Sequence, residues 1–359
     1  MDTSKHIPNS ALSEQNGVEN PSILGKDAIT KIKQKRKRLR TVKGLADDIR
    51  KGNIASLSQG ITLIESTNKT DLEDAHELIE LCLSDSESVR IGVTGVPGVG
   101  KSTFIEALGL QLIDQGKKVA VLAVDPSSTI SKGSILGDKT RMEDLVKSKH
   151  AFIRPSPSGN SLGGVARKTR ETIILCEAAG FDTIIIETVG VGQSETVVHS
   201  MVDFFLLLKL AGAGDELQGI KRGIIEMADA VVINKSDGEN KKAARSAELE
   251  FKRALHLYPA KASGWTPKTA RCSALKKEGV SELIDMIDSY VSETKATGYF
   301  ESHRLEQQKF WLLQTIEERL KSDFYSKSAI KKPLKDQLSL IEEGKTTAFA
   351  AAEYLLGLH

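Results

Sequence analysis

The chain has 359 residues, with 50 lysines and arginines against 48 aspartates and glutamates, and 40% of its residues are hydrophobic. This composition is typical of a globular protein and argues against a disordered or low-complexity chain. A formal net charge of +2 and only 5% aromatic residues provide neither a basic field nor a base-stacking surface, so we expect no nucleic-acid partner. The length predicts one large domain with attachments, or two domains.

The three cysteines, Cys82, Cys176 and Cys272, are too few and too far apart for a disulfide framework. We therefore expect a reducing compartment. The sequence has no C-x-x-C pair and no histidine cluster, which argues against a built-in site for a soft metal. The first residues lack the apolar segment of a secretory signal, and no apolar run is long enough to span a bilayer. These features predict a cytoplasmic protein with no membrane partner.

The N-terminal quarter of the chain contains three kinds of sequence. Residues 1–25 are polar without periodicity, so we predict a disordered extension. The basic run at 31–40 is interpreted as a solvated lead-in rather than a phosphate contact, because the whole chain is near neutral. Across residues 26–87 apolar residues recur at helical spacing, which predicts a helical segment with Asp71 as the N-cap of its last helix.

From residue 88 to residue 292 predicted strands and helices alternate. The strands are short apolar runs at 89–93, 119–124, 152–153, 183–187, 204–208 and 230–233. Continuous apolar runs are typical of strands buried on both faces of a parallel sheet. The predicted fold is α/β, a mostly parallel, doubly wound sheet. Residues 293–359 are helical in pattern, and we expect this tail to dock on the core or on another chain.

A glycine-rich segment follows the first predicted strand. Residues 95–102 read G-V-P-G-V-G-K-S and match the phosphate loop G-x-x-x-x-G-K-[ST] in full, which predicts a P-loop NTPase. The glycines let the backbone curl around phosphate oxygens, and the start of the next helix adds partial positive charge. Lys101 is expected on the β- and γ-phosphates, and the Ser102 hydroxyl on Mg²⁺. The expected nucleotide contacts of this loop are Gly95, Val96, Pro97, Gly98, Val99, Gly100, Lys101, Ser102 and Thr103.

A second motif, N-K-S-D at 234–237, directly follows a predicted strand. The Asp237 carboxylate can accept from guanine N1–H and from the exocyclic amine, a donor pair that adenine lacks. Lys235 can lay its aliphatic stem on the base, and Asn234 can tie this loop to the phosphate loop. The C-S-A-L segment at 272–275 is similar to a short loop that contacts guanine O6 through backbone N–H groups. Its expected contacts are Ser273, Ala274 and Leu275.

Carboxylates lie at or after the ends of predicted strands. Glu187 ends one strand, Asp125 follows another, and Asp138 lies in the next glycine-rich loop. Because ligands bind at the carboxyl ends of parallel strands, these three residues and Ser102 are the candidate Mg²⁺ ligands, some of them through water. Glu187 and Gly190 also form an acid-x-x-G turn of the kind that senses a γ-phosphate.

Five sequence blocks carry a resemblance to a known family. They are the phosphate loop, D-P-S-S at 125–128, E-T-V-G-V-G-Q-S-E at 187–195, A-G-A-G-D-E-L-Q-G-I-K-R-G at 211–223 and N-K-S-D at 234–237. The chain resembles the MeaB/ArgK family (MMAA in its mitochondrial form), GTPases that act as chaperones of adenosylcobalamin-dependent methylmalonyl-CoA mutase. The likeness runs from about residue 42 to the end.

The resemblance implies a mechanism as well as a fold. The loop holding Asp138 and Arg141, the loop after Glu187, and residues 215–221 would be three switches, the last conveying nucleotide state to the mutase. GTP hydrolysis would gate cofactor loading and protect or reactivate an acyl-CoA mutase. The helical tail would form a homodimer. The candidate catalytic residues are Lys101, Asp138, Arg141, Glu187 and Gln193.

Three other interpretations were weighed. A nickel-insertion GTPase of hydrogenase or urease maturation should carry a histidine-rich tract or C-x-x-C. A targeting GTPase of the signal-recognition type should carry a methionine-rich module, whereas the chain has five methionines. A P-loop kinase would need an acceptor pocket, and N-K-S-D instead favours a GTP switch. We retain the metal-insertion GTPase and the kinase as alternatives, and isobutyryl-type mutases as the alternative client.

Overall fold

The computed structural model describes residues 41–66, 68–84, 87–124, 142–156, 162–188, 194–212 and 222–358. The predicted disordered extension and the basic run lie outside these ranges. Within them, no helix is both long and apolar enough to cross a bilayer. The proposed boundaries at residues 25, 87 and 292 stay predictions.

Within the described residues, three short helices precede the sheet. They are α1 (Val42–Arg50), α2 (Ile54–Glu65) and α3 (Lys69–Cys82). Asn53 caps α2, its side chain accepting from the Ser56 N–H at 3.0 Å. The expected cap at Asp71 is wrong: Asn68 caps α3, so the helix begins earlier than predicted. Asp71 lies in the first turn, where its carboxylate accepts a hydrogen bond from the Ser66 hydroxyl at 2.6 Å.

The sheet has seven strands, and all pairings between them are parallel. They are β1 (Val89–Gly95), β2 (Val119–Val124), β3 (Ala151–Arg154), β4 (Thr183–Thr188), β5 (Phe204–Leu210), β6 (Ala230–Asn234) and β7 (Lys268–Arg271). Their order is β3-β2-β4-β1-β5-β6-β7. The predicted doubly wound α/β fold is confirmed. The strand β7 was missed, because K-T-A-R lies at the sheet edge and is only partly buried.

Helices cover both faces of the sheet and extend past it. Those that alternate with the strands are α4 (Lys101–Asp114), α5 (Glu143–Lys147), α6 (Leu162–Ala178), α7 (Ser194–His199), α8 (Arg222–Met227), α9 (Lys241–Leu255) and α10 (Val280–Ala296). The tail consists of α11 (Tyr299–Ser326), α12 (Ser328–Glu342) and α13 (Ala348–Leu356). Successive strand residues join opposite cores, as the pleat requires. Leu122 and Val124 pack with the helices α1–α3 and α6, whereas Val119 and Val121 pack with α4 and α10.

A buried ion pair fixes the first turns of α11 to the amino edge of the sheet. Arg304 Nε and Nη2 donate to the two carboxylate oxygens of Asp203 at 2.8 and 2.6 Å. The same Nη2 donates to the Ser88 carbonyl at 2.6 Å. Asp203 also accepts from the Arg90 N–H at 2.8 Å, so this carboxylate joins β1, β5 and the helical tail.

The next turns of α11 bind the segment that joins α7 to β5. Gln307 Nε2 donates to the Val202 carbonyl at 2.8 Å, and the Trp311 indole donates to the Ser200 carbonyl at 2.9 Å. With Arg304 these side chains lie on one face of the helix, because residues three or four apart are neighbours there. We call this set the α11 clamp: Arg304, Gln307 and Trp311 against residues 200–203.

We predict that Arg304→Met lowers the free energy of unfolding by about 3–5 kcal/mol, because it leaves Asp203 buried without its cation. The matched control is Arg319→Met on the same helix, whose ion pair with Asp323 is more than half exposed. Its cost should stay within about 0.5 kcal/mol. Urea denaturation of the full chain measures both. Equal costs for the two variants would show that the clamp does not stabilise the fold.

Candidate nucleotide-binding site

Three segments with sequence signals meet at the carboxyl edge of the sheet. The strand β1 ends in the phosphate loop, β4 ends next to Glu187, and β6 ends at Asn234. The register pairs Glu187 with Val93 of β1 and with Ala123 of β2. Parallel strands end on the same side, so the topology brings these segments together from distant parts of the chain.

The phosphate loop is closed around the ammonium of Lys101. Its Nζ donates to the Gly95 carbonyl at 2.8 Å. Gly98 and Gly100 have φ angles of 80° and 92°, in the left-handed region that glycine tolerates best. The helix α4 begins at Lys101, so its amino end points its free N–H groups and positive partial charge at the loop.

Asn234 joins the phosphate loop to the predicted base loop, by which we mean residues 272–275. Its side chain is buried, with 2% of the residue exposed. Nδ2 donates to the Val99 carbonyl at 2.9 Å, and Oδ1 accepts from the Ala274 N–H at 3.1 Å. The Cys272 thiol lies 3.4 Å from the same Oδ1. One amide therefore binds two segments that are far apart in sequence, and we call Asn234 with Val99, Cys272 and Ala274 the Asn234 junction.

The predicted base contacts surround this junction. The Ser273 hydroxyl donates to the Asp237 carboxylate, which holds that carboxylate in place. Lys235 has a left-handed φ of 56°. Its Nζ donates to the Gly98 carbonyl at 3.0 Å, so its aliphatic stem reaches from the N-K-S-D segment to the phosphate loop. The Ala274 N–H is engaged by Asn234, as described above, and the contact expected from the Leu275 backbone stays a prediction.

Two of the four candidate Mg²⁺ ligands lie within the described residues. Ser102 is the second residue of α4 and is nearly buried, and Glu187 is 5% exposed at the end of β4. A hydroxyl and a carboxylate are the hard oxygen donors that Mg²⁺ prefers, so these residues fit this metal. Beside Glu187, the Thr188 hydroxyl donates to the Thr94 hydroxyl at 2.8 Å. No motif in the sequence predicts this pair, although both threonines lie at strand ends.

Several predicted site residues lie outside the described ranges. They are Asp125, Asp138, Arg141, Gly190 and Gln193, together with 215–221. Within the described ranges, no three His, Cys, Asp or Glu side chains are grouped so as to hold a metal. Burial raises the pKa of the Cys272 thiol to about 12, so this cysteine stays protonated beside the Asn234 junction.

The family model described as "Methylmalonyl Co-A mutase-associated GTPase MeaB" matches residues 57–329. The chain belongs to this family. The resemblance seen in the sequence blocks is thereby confirmed, as is the expectation of a GTPase. The match favours this interpretation over a metal-insertion GTPase or a P-loop kinase.

Relatives and a solved structure agree with this family. A probable GTPase of Mycobacterium bovis is 48% identical over 317 residues, covering 88% of this chain and 94% of the relative. The mitochondrial methylmalonic aciduria type A homolog of Mus musculus is 44% identical over 331 residues, covering 89% and 80%. A crystal structure titled LAO/AO transport system kinase superposes with a TM-score of 0.71 at 36% identity, covering 89% of this chain and 97% of that one.

We predict that Gly100→Ala destabilises the nucleotide-free protein more than Gly98→Ala does. Both residues have left-handed φ angles, so both substitutions cost about 1–2 kcal/mol in backbone strain. Only at Gly100 would the new methyl group meet Asn234, 2.9 Å from Nδ2, whereas Gly98 faces open space. Displacing that amide adds about 1–3 kcal/mol by breaking a buried hydrogen bond. Urea denaturation compares the two variants, and equal losses would contradict a close approach at Gly100.

Proposed function

We propose that this protein is a GTP-hydrolysing chaperone of an adenosylcobalamin-dependent acyl-CoA mutase, with methylmalonyl-CoA mutase as its client. The GTPase cycle gates cofactor loading and protects or reactivates the mutase. The observation that carries the proposal is the match of the mutase-associated GTPase model over residues 57–329. The site geometry supports the nucleotide part, because the Asn234 junction connects the phosphate loop to the base loop.

Guanine recognition rests on Asp237 and its support. The Ser273 hydroxyl holds the carboxylate of Asp237, which is then fixed to accept the two donors on the guanine edge. Lys235, anchored at the Gly98 carbonyl, presents its aliphatic stem to the face of the base. Adenine would leave the carboxylate without donors, and such a mismatch costs binding energy.

Phosphate transfer to water depends mostly on positioning and charge. Lys101 lies within the phosphate loop and supplies a cation to the β- and γ-phosphates. Ser102 and Glu187 would hold Mg²⁺, together with Asp125 and Asp138 as the sequence suggests. The metal, when bound, supplies positive charge to the phosphate oxygens. Arg141 and Gln193 are the proposed charge-neutralising and water-orienting residues.

Residues 215–221 are proposed to convey the nucleotide state to the client, and the tail is proposed to form a homodimer. The helices α7 and α8 follow the proposed switch segments 189–193 and 215–221, and the α11 clamp holds the residues after α7. From residue 310 onward, α11 exposes large apolar side chains, which a second copy would cover. They are Phe310, Leu312, Leu313, Ile316 and Leu320. We also propose a cytoplasmic location for this chain. The relative from Mus musculus is named as mitochondrial.

We predict that Asp237→Asn weakens GTP binding by more than tenfold and allows xanthosine triphosphate to bind. The amide offers a donor where the carboxylate accepted, and xanthine presents a carbonyl where guanine has its amine. Ser273→Ala is the matched variant: it loses the support of Asp237 and should weaken GTP binding without any gain for xanthosine triphosphate. Equilibrium titration with both nucleotides measures this. An unchanged GTP affinity in Asp237→Asn would refute the proposed base contact.

We predict slow GTP hydrolysis by the chain alone and a faster rate when the client mutase is added. Binding of the client would position the catalytic groups on the nucleotide, which lowers the barrier. Phosphate release is measured with and without methylmalonyl-CoA mutase, and then with an isobutyryl-type mutase. Lys101→Met, which should lose hydrolysis in every mixture, controls for contaminating GTPases. A rate unchanged by either mutase would overturn the coupling, although not the family assignment.

A further inference from the structure

A cavity of about 480 Å³ lies at the amino edge of the sheet, opposite the nucleotide site. Its walls come from the ends of α7 and α8, from residues 255–267, and from the helices α10 and α11. The volume is within the range of small-molecule sites. None of the residues proposed for nucleotide binding lines it, so the proposed GTPase activity does not use this cavity.

An ion pair forms the polar centre of the cavity. Lys261 Nζ donates to Asp229 Oδ1 at 2.6 Å and to the Met227 carbonyl at 2.8 Å. The other oxygen of Asp229 accepts from the Phe205 N–H at 2.8 Å, so both oxygens of this carboxylate are engaged. An ammonium has three N–H donors. One donor of Lys261 is therefore left for an acceptor in the cavity.

Two imidazoles and a phenol add polar groups around this centre. The Tyr299 hydroxyl lies 3.4 Å from His303 Nδ1, on the first turns of α11. His199, at the end of α7, is held edge-on against the Phe205 ring, with 5.4 Å between ring centroids. Burial, and next the charge of Lys261, lower the pKa of His199 to about 4. The imidazole is thus neutral at pH 7. The positive charge of Lys261 nearby favours the binding of an anion.

Each acidic group that lines the cavity is paired with a cation or is exposed to solvent. Asp203 is held by Arg304 in the α11 clamp, and Asp229 is held by Lys261. Glu226 is exposed to solvent. The rest of the lining is mostly apolar and includes the rings of Trp265 and Tyr290, which lie 5.4 Å apart at 85°. An apolar wall beside a few convergent polar groups is the usual form of a ligand site.

We propose that this cavity binds a small carboxylic acid with an apolar body. The carboxylate lies against Lys261 Nζ and the Tyr299 hydroxyl, and the apolar body lies against Trp265 and Tyr290. A carboxylate can accept from the third N–H of the Lys261 ammonium and from the Tyr299 O–H. Such charge-assisted hydrogen bonds are stronger than bonds between neutral groups. None of the residues proposed for nucleotide binding lines the cavity, so either proposal can fail without the other.

The test uses the full chain and cyclohexanecarboxylate, which is apolar, anionic and does not fluoresce. The chain has two tryptophans, and Trp265 lines the cavity whereas Trp311 does not. We expect a saturable change in tryptophan emission that Trp265→Phe abolishes. The neutral cyclohexanecarboxamide should bind at least tenfold more weakly. Calorimetry that detects no binding of the acid, or equal binding of acid and amide, would overturn the proposal.

Two variants separate recognition from folding. Tyr299→Phe removes one hydroxyl and should weaken binding of the acid about three- to tenfold. Tyr325→Phe, on the same helix but outside the cavity lining, should leave the affinity for the acid unchanged. The double variant Asp229→Asn with Lys261→Met removes the ion pair as a unit, which avoids a lone buried charge. If it still unfolds cooperatively, it should bind acid and amide equally. A retained preference for the acid would contradict the role of Lys261.

Discussion

The hydrogen bonds of the Asn234 side chain are the constraint on which the candidate site depends. The residue ends β6, a buried strand with a neighbour on each side, so the sheet fixes its position. From there its amide binds the Val99 carbonyl in the phosphate loop and the Ala274 N–H in the base loop. A buried amide without these partners would cost the free energy of two lost hydrogen bonds. The distance between the phosphate and base subsites is thus set by the fold rather than by the ligand.

The amino edge of the same sheet is organised by aspartates. Asp182, Asp203 and Asp229 each stand directly before a strand, and each accepts a backbone N–H at or beside the start of a neighbouring strand, at 2.7 to 2.8 Å. Strand ends leave N–H groups that need acceptors. Two of these carboxylates also bind a cation: Asp203 binds Arg304, and Asp229 binds Lys261. The first attaches the tail, and the second forms the polar centre of the cavity.

Features decided by local sequence were predictable, and features decided by tertiary contact were not. Buried strands are visible as apolar runs, and the phosphate loop as a spacing of glycines before Lys101, because both follow from local chemistry. The edge strand β7 has no such pattern, since only one neighbour and partial burial support it. The α11 clamp joins Arg304 to Asp203 across 101 positions, and a charge pair at that separation leaves no periodic signal. The Asn234 contact with the phosphate loop was expected from its motif.

The two edges of the sheet are connected through α7. This helix begins immediately after the proposed switch segment at 189–193 and ends at His199, on the cavity wall. Its six residues span about 9 Å at the usual helical rise. Trp311 of the α11 clamp holds the Ser200 carbonyl just beyond its end. A short helix moves as a unit, so a displacement at its start reaches its end. A displacement of α7 would therefore act on the α11 clamp and on the cavity wall together, because both contact the residues at its end.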